Sequence, residues 1–249
     1  MVKKTLSVLA ALLTLGCAST GGTTDSGDFW LTMPGAGTIT IVGVSGPQLR
    51  SSTVINNARE HAARNASMFH RIDAHFYNRH AIGTGIFDFE NFFEYTITYD
   101  ENLEAFMERL DHDLDRDLLR VGNITGIRFS YPASLPGPVS FSTAKNPDGS
   151  PVWTNAPPVI SGYLVGVGHS GRQLRVGDTF NGSVNSAIAA MTAQIEQNIT
   201  SITREVNGVM TTIHVIESKG VLTNFFVLET WFDPVSQSVW TLAIARQGN

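Results

Sequence analysis

Cysteine is almost absent from this chain: the single one, Cys17, lies among the first twenty residues, so no internal disulfide can form and the fold must rest on packing alone. Charge is scarce as well, at 16% of residues, and it leans acidic, with 17 Lys and Arg against 22 Asp and Glu and no basic run longer than two. A phosphate-tracking surface needs clustered cations, so the composition argues against nucleic acid as a partner. Beyond residue 17 no apolar run approaches the roughly twenty residues that cross a bilayer as a helix. What is present is 249 residues, 42% of them hydrophobic, enough for one large core or two modest ones.

The stretch MVKKTLSVLAALLTLGC places Lys3 and Lys4 before an apolar run from Leu6 to Leu15, then Gly16 and Cys17. The run is too short for a membrane span and has the layout of an export signal. It resembles the signal of a bacterial lipoprotein, in which a small residue precedes a cysteine that is acylated and becomes the mature N-terminus. Thr14 departs from that pattern, which has leucine three places before the cysteine; here Leu15 comes one place later. The alternative, an ordinary cleaved signal with an incidental buried cysteine, leaves the position of Cys17 at the cleavage site unexplained. The reading is a signal peptide over 1–16, lipidation of Cys17, and a flexible tether over 17–29 whose ASTGGTTDSGD is small and polar. One acyl chain holds weakly, at about 0.8 kcal/mol per buried methylene, so stable attachment takes several. The mature chain then carries 15 basic and 22 acidic residues, a formal charge of −7.

The rest of the chain repeats itself. Trp30-Leu-Thr-Met-Pro34 returns as Trp153-Thr-Asn-Ala-Pro157, and Val42-Gly43-Val44 as Val165-Gly166-Val167, both 123 positions on. Gly46-Pro-Gln-Leu-Arg50 matches Gly171-Arg-Gln-Leu-Arg175 at an offset of 125, which reads as an insertion of His169 and Ser170. That insertion helps create Gly166-Val-Gly-His-Ser-Gly171, a match to the dinucleotide-binding G-x-G-x-x-G. The first copy lacks the pattern, no helix opens at the glycines, and Glu196 falls within helical periodicity and not at a strand end. The glycines are expected to form a turn leaving a buried strand.

Each copy continues with an amphipathic helical pattern: Val54, Ala58, Ala62, Ala66, Phe69, Ile72 and Phe76, then Val184, Ile188, Met191, Ile195, Ile199, Ile202 and Val206. Strands are expected at 94–99, 211–216, 222–232 and 238–245, the last two forming an antiparallel hairpin around Asp233-Pro-Val-Ser-Gln237. The first copy adds a charged helix near 102–119 and a strand near Ile124–Tyr131. Seven prolines between Pro132 and Pro158, with a Lys145-Asn-Pro-Asp-Gly149 turn, mark a linker.

This order of features is the basis of a resemblance. A lipidated cysteine and polar tether lead to a tryptophan and proline, a strand rich in Val-Gly-Val-Gly and a long helix. The Glu229-Thr-Trp-Phe-Asp-Pro234 hairpin then closes on Val239-Trp-Thr-Leu242. The chain thereby resembles the LPP-twenty lipoprotein family, carried well by 153–246 and, in the first copy, by its opening strand and helix only. The resemblance implies a small β-α-β-β module similar to dodecin, found in antigenic surface lipoproteins and in flagellar assembly protein T. It brings no catalytic residues.

Candidate chemistry is thin. Ser170 sits in Gly-His-Ser-Gly-Arg, where a nucleophile elbow needs a final glycine at Arg172. His61, His70, His75 and His80 step by nine, five and five, not the three or four that align ligands on a helix, and suit a partly exposed helix edge. Asp111, Asp113, Asp115 and Asp117 begin like a calcium loop, but Arg116 and Gly122 stand where glycine and glutamate belong, so a solvated helical face is simpler. The repeated Arg50 and Arg175, between strand exit and helix start, are candidate contacts for an anion or partner, against a purely local capping role.

The expectation is an α+β protein of two tandem related modules, 30–131 and 153–249, each packing a long helix on a small mostly antiparallel sheet, joined by a linker over 132–152. Its expected role is non-enzymatic, without cofactor or metal: an envelope lipoprotein of the bacterial outer membrane, acting in structure or assembly. Its partners would be membrane lipid through Cys17, an envelope protein or cell-wall polymer, and a second copy pairing through exposed sheet edges. The alternative is a binding protein for a small envelope ligand held between the modules.

Overall fold

The computed structural model describes residues 30–35, 37–83, 92–206 and 209–248. The signal, Cys17 and the tether lie outside the described residues. The elements run β1 (Ile39–Ser45), α1 (Ser51–His70), β2 (Ile72–Gly83), β3 (Phe92–Thr98), two short helices α2 (Leu103–Met107) and α3 (Leu114–Asp117), β4 (Leu118–Val121) and β5 (Ile124–Tyr131). After a 3-10 turn at Val152–Thr154 come β6 (Leu164–Ser170), α4 (Val176–Ile195), β7 (Gln197–Val206), β8 (Val209–Phe232) and β9 (Val239–Gln247). The fold is α+β, with antiparallel pairing in both sheets. A small sheet has the order β1-β5-β4, and a large one β3-β2-β8-β9-β6, with β7 on the free flank of the N-terminal half of β8. No described helix is long and apolar enough to cross a membrane.

Both long helices stop earlier than periodicity predicts. α1 buries Ala58, Ala62, Ala66 and Phe69 as expected, but Arg71 turns to extended geometry, and Ile72, Ala74 and Phe76 are buried with the alternation of a strand while Asp73 and His75 face solvent. The second helix likewise ends at Ile195, with Glu196 extended and Ile199, Ile202 and Val206 on β7. A spacing of four, three, four satisfies a helix, but four of the five residues Ile199-Thr-Ser-Ile-Thr203 are β-branched and favour the pleated backbone. The charged helix expected over 102–119 is divided: α2 and α3 are separated by an Asp111–Ser130 bridge, and Leu118 and Leu119 already pair with β5. The predicted strands at 211–216 and 222–232 are one long β8, paired with β2 along its first half and with β9 along its second. The expected turn closes β8 on β9 through Asp233 N–H donating to the Ser238 carbonyl at 3.0 Å.

The first two glycines of the fingerprint, Gly166 and Gly168, are inside β6, and only Gly171 lies in the corner just beyond the strand. A Cβ on Gly168 would stand 1.9 Å from the Ser183 carbonyl oxygen, and one on Gly166 2.2 Å from that of Ala187, because α4 lies directly on the strand. Gly43 is in the same position against Ala58 of α1, again at 1.9 Å. Gly43 and Gly168 are 125 positions apart, as are Ala58 and Ser183, Ser45 and Ser170, and the starts of α1 and α4. The strand therefore aligns at 125 and no insertion is needed: His169 and Ser170 are strand residues in the places of Val44 and Ser45.

Successive residues of a strand face opposite ways, and β8 and β9 use both faces. Phe225, Ala243 and Ala245 join Val184, Ala187, Ile188 and Met191 of α4. Phe226, Leu228, Leu242 and Ile244 join Ile39, Ile41, Ala58, Ala62, Ile127 and Phe129 around α1 and the small sheet. Trp153, 1% exposed, fixes the proline-rich segment to that second cluster, and its indole donates to the buried Glu229 carboxylate at 2.7 Å. The Lys145–Gly149 turn forms, with Gly149 N–H donating to the Asn146 carbonyl. At the other end of the chain Trp30 to Thr32 pair with Leu228 to Thr230 of β8.

Candidate functional site

The strand-to-helix corner after β1 sits beside the corner after β6: a Cβ on Gly46 would touch Val176 at 3.6 Å. Between them opens a cleft of about 600 Å³. From the α1 side Asn57, Glu60, His61 and Arg64 line it, and from the α4 side Arg175, Asp178 and Asn181. Both helices bring amides and charges to this wall because their alanine and isoleucine faces are committed to the sheets.

Behind the cleft lies a polar cluster. Arg64 donates to Asn185 Oδ1 at 3.3 Å and lies over the Tyr99 ring, and Asn185 donates to the Tyr95 hydroxyl at 3.1 Å. Asn65 is buried with its carbonyl oxygen unpartnered, and Arg64 Nε is unpartnered too. His61 stands between the cleft and a small cavity of about 30 Å³, which Asn65, Thr230 and Thr241 also line. Its ring meets Phe180 edge-on, and neither ring nitrogen has a hydrogen-bond partner among the described residues. Burial pushes its pKa down to about 4; the Arg64 charge adds to the shift, and the Val42 backbone carbonyl opposes it from a position outside hydrogen-bond geometry. The imidazole is therefore neutral at physiological pH.

The candidate arginines divide. Arg50 and Arg175 are the N-cap residues of α1 and α4, and their carbonyls accept from Val54 and Thr179 in turn. Both side chains are exposed. Arg175 stands at the cleft, whereas Arg50 is not among the residues lining it. The histidines do not form one helix edge: His61 turns its nitrogens inward on α1, His70 meets the Tyr131 hydroxyl at 2.9 Å, and His75 and His80 belong to β2, His75 pairing with Glu217. Among the described residues no group of three His, Cys, Asp or Glu could hold a metal. Ser170 donates to the Gly171 carbonyl and accepts from Gln173, and the neighbouring His169 ring packs on Trp240. Asp113 caps α3 by accepting from Asp115 N–H, in an exposed acidic loop.

Sequence reasoning missed His61, Asn65 and Asn185 as a set. Asn65 was visible in principle, since Ala58, Ala62, Asn65 and Phe69 lie on one helical stripe and an amide there demands a polar neighbour. The Arg64–Asn185 bond joins residues 121 apart, which no local pattern reveals. Comparison with protein-family models, curated protein sequences and solved structures finds no match.

Proposed function

We propose that this chain is a lipid-anchored protein of the bacterial cell envelope, held to the outer membrane by acyl chains on Cys17 and acting without catalysis in structure or assembly. The observation that carries the reading is the order of its N-terminal features: Lys3 and Lys4, an apolar run, Gly16-Cys17 and a polar tether leading to Trp30. The same reading takes 30–131 and 153–249 as two related modules of the LPP-twenty kind. It is supported by α1 and α4, each of twenty residues and 125 apart, by the matched glycine approaches, and by β5 lying between β1 and β4 as β9 lies between β6 and β8. Membrane partitioning and the N-terminal mass of wild type and Cys17→Ala test the anchor. Acyl mass on the wild type and a soluble variant are expected; two soluble proteins cleaved elsewhere would reject it.

The cleft favours a second reading, a small polar envelope ligand gripped between the two corners. Its amides, carboxylates and arginines offer directional bonds, and the unpartnered Arg64 Nε is a donor with unused capacity. The measurement is the melting temperature with small peptidoglycan fragments. A rise for wild type that Arg64→Ala loses supports this reading, and no rise in either protein rejects it.

A further inference from the structure

Four loops meet at one end of the fold. Ser45 pairs with Thr125 and Ser170 with Val239, so the exits of β1 and β6 lie beside the β4–β5 and β8–β9 turns. Three of these loops hold an apolar side chain in full water contact: Leu49 is 107% exposed, Leu174 101% and Val235 91%. The two leucines occupy the same place in their corners, each one residue before the arginine that caps the following helix. Turn chemistry does not ask for leucine there, since short polar residues and glycine serve such positions. Arg50, Arg172 and Arg175 are exposed beside them, and among the described residues none of the three is paired with a carboxylate. Asp233, the acid of the β8–β9 turn, spends its carboxylate on its own loop, accepting from Val235 N–H and the Ser236 hydroxyl.

The tether reaches the fold at this same end. Trp30 packs against Phe180 with ring centroids 5.6 Å apart and tilted planes, and shares a cluster with Val44 and Val239, at the base of the three apolar loops. Cys17 is thirteen residues earlier. A chain of that length reaches at most roughly 45 Å even when fully extended.

We infer that this end is a membrane-contact face. Leu49, Leu174 and Val235 seat at the boundary between acyl chains and headgroups of the bilayer that holds Cys17, and Arg50, Arg172 and Arg175 meet anionic headgroups, a combination of apolar burial and charge that holds proteins at interfaces. The choice of lipid over a protein partner rests on the lipid anchor proposed above, because it is the short tether that directs this end to a bilayer. The acyl chains and the loops then form separate attachments, and the second fixes the orientation that the acyl chains alone leave free.

The test uses the non-acylated mature chain, residues 17–249, sedimented with vesicles of zwitterionic phosphatidylcholine or of phosphatidylcholine enriched in anionic phosphatidylglycerol. Binding to the anionic vesicles is expected, weakened by added salt and reduced on the order of tenfold or more by Leu49→Asp with Leu174→Asp. Val159→Asp is the control: Val159 is 96% exposed but precedes the start of β6, at the opposite end of that strand from Leu174, and its change should leave binding intact. Circular dichroism verifies that each variant is folded. Failure to sediment with either vesicle, equal losses from the leucine pair and from Val159→Asp, or equal binding to both lipids overturns the inference. So does a leucine pair whose only effect is to turn a dimer into a monomer, which assigns the face to a second copy. Acyl mass on Cys17 with no vesicle binding by the non-acylated chain leaves the anchor standing and removes only this face.

Discussion

The ring nitrogens of His61 are buried, so protonating the folded chain strands a charge without water, and the neighbouring Arg64 guanidinium adds to the cost; the ring's pKa falls from 6.5 to about 4 as a result. The unfolded chain takes up the same proton near pH 6.5. Between pH 6.5 and about 4 the unfolded state therefore binds more protons, and stability drops as the pH falls; above 6.5 the ring is neutral in both states and imposes nothing. The full penalty is about 3 kcal/mol. Urea unfolding at pH 7 and pH 4.5 should show wild type losing about 2 kcal/mol more than His61→Leu, which has no proton to take up. Equal losses would place the imidazole in contact with solvent. The Trp153–Glu229 bond is a second single-residue commitment, since both partners are buried and the acceptor is a carboxylate. Trp153→Phe keeps most of the ring and removes the donor, so a loss of about 2 kcal/mol is expected in thermal or urea unfolding. A loss within experimental error would mean that the carboxylate's remaining contacts suffice.

Among the elements, the two strand–helix pairs depend on a missing side chain. α1 lies so close on β1, and α4 on β6, that Gly43→Ala and Gly168→Ala each drive a methyl into a carbonyl of the facing helix. Forcing the helix off its strand should cost about 3 kcal/mol or more, while Gly171→Ala, whose Cβ meets nothing within 4 Å, should change the melting temperature little. If Gly168→Ala melts like Gly171→Ala, the close approach is wrong. This contact also explains what was legible in the sequence. The alanine face of α1, the Val184–Ile188–Met191 face of α4, the β8–β9 hairpin and the Ile124–Tyr131 strand are written in local periodicity and turn residues, and they form where those signals put them. The ends of the long helices are not, because Phe69, Ile72 and Phe76 satisfy a period of 3.6 while Ile72, Ala74 and Phe76 satisfy a period of two, and only the partner strand β8 decides between them. Gly166 and Gly168 looked like part of a turn with Gly171 because sequence does not show which helix will lie across a strand. The cleft was least legible of all: its walls come from helices more than a hundred residues apart, and the one local sign, the Asn65 amide on an apolar stripe, pointed to the polar cluster behind it and not to the cleft.

At the scale of the whole molecule the two halves of the chain are packed into one another. β2, from the first half, pairs with β8, from the second, over twelve residues from Ile72–Leu222 to Gly83–Thr211. The core beneath α1 takes Phe226, Leu228, Leu242 and Ile244 from the large sheet. A segment 153–249 expressed alone would lose β2 from one flank of β8 and uncover those four side chains, a loss of apolar burial that a lone β-α-β-β unit has nothing to offset. Two related modules that were also independent would behave otherwise: the full chain would melt in two steps, and 153–249 would fold as a monomer with a cooperative transition of its own. The expected result is the opposite, one calorimetric transition for the full chain and an aggregated or non-cooperative 153–249 fragment. Mixing that fragment with the complementary 30–152 during refolding decides the cause. Recovery of a single cooperative transition on mixing would show that the fragment lacked only its partner surface. A fragment that melts cooperatively by itself would make the β2–β8 pairing an accessory to two self-sufficient modules.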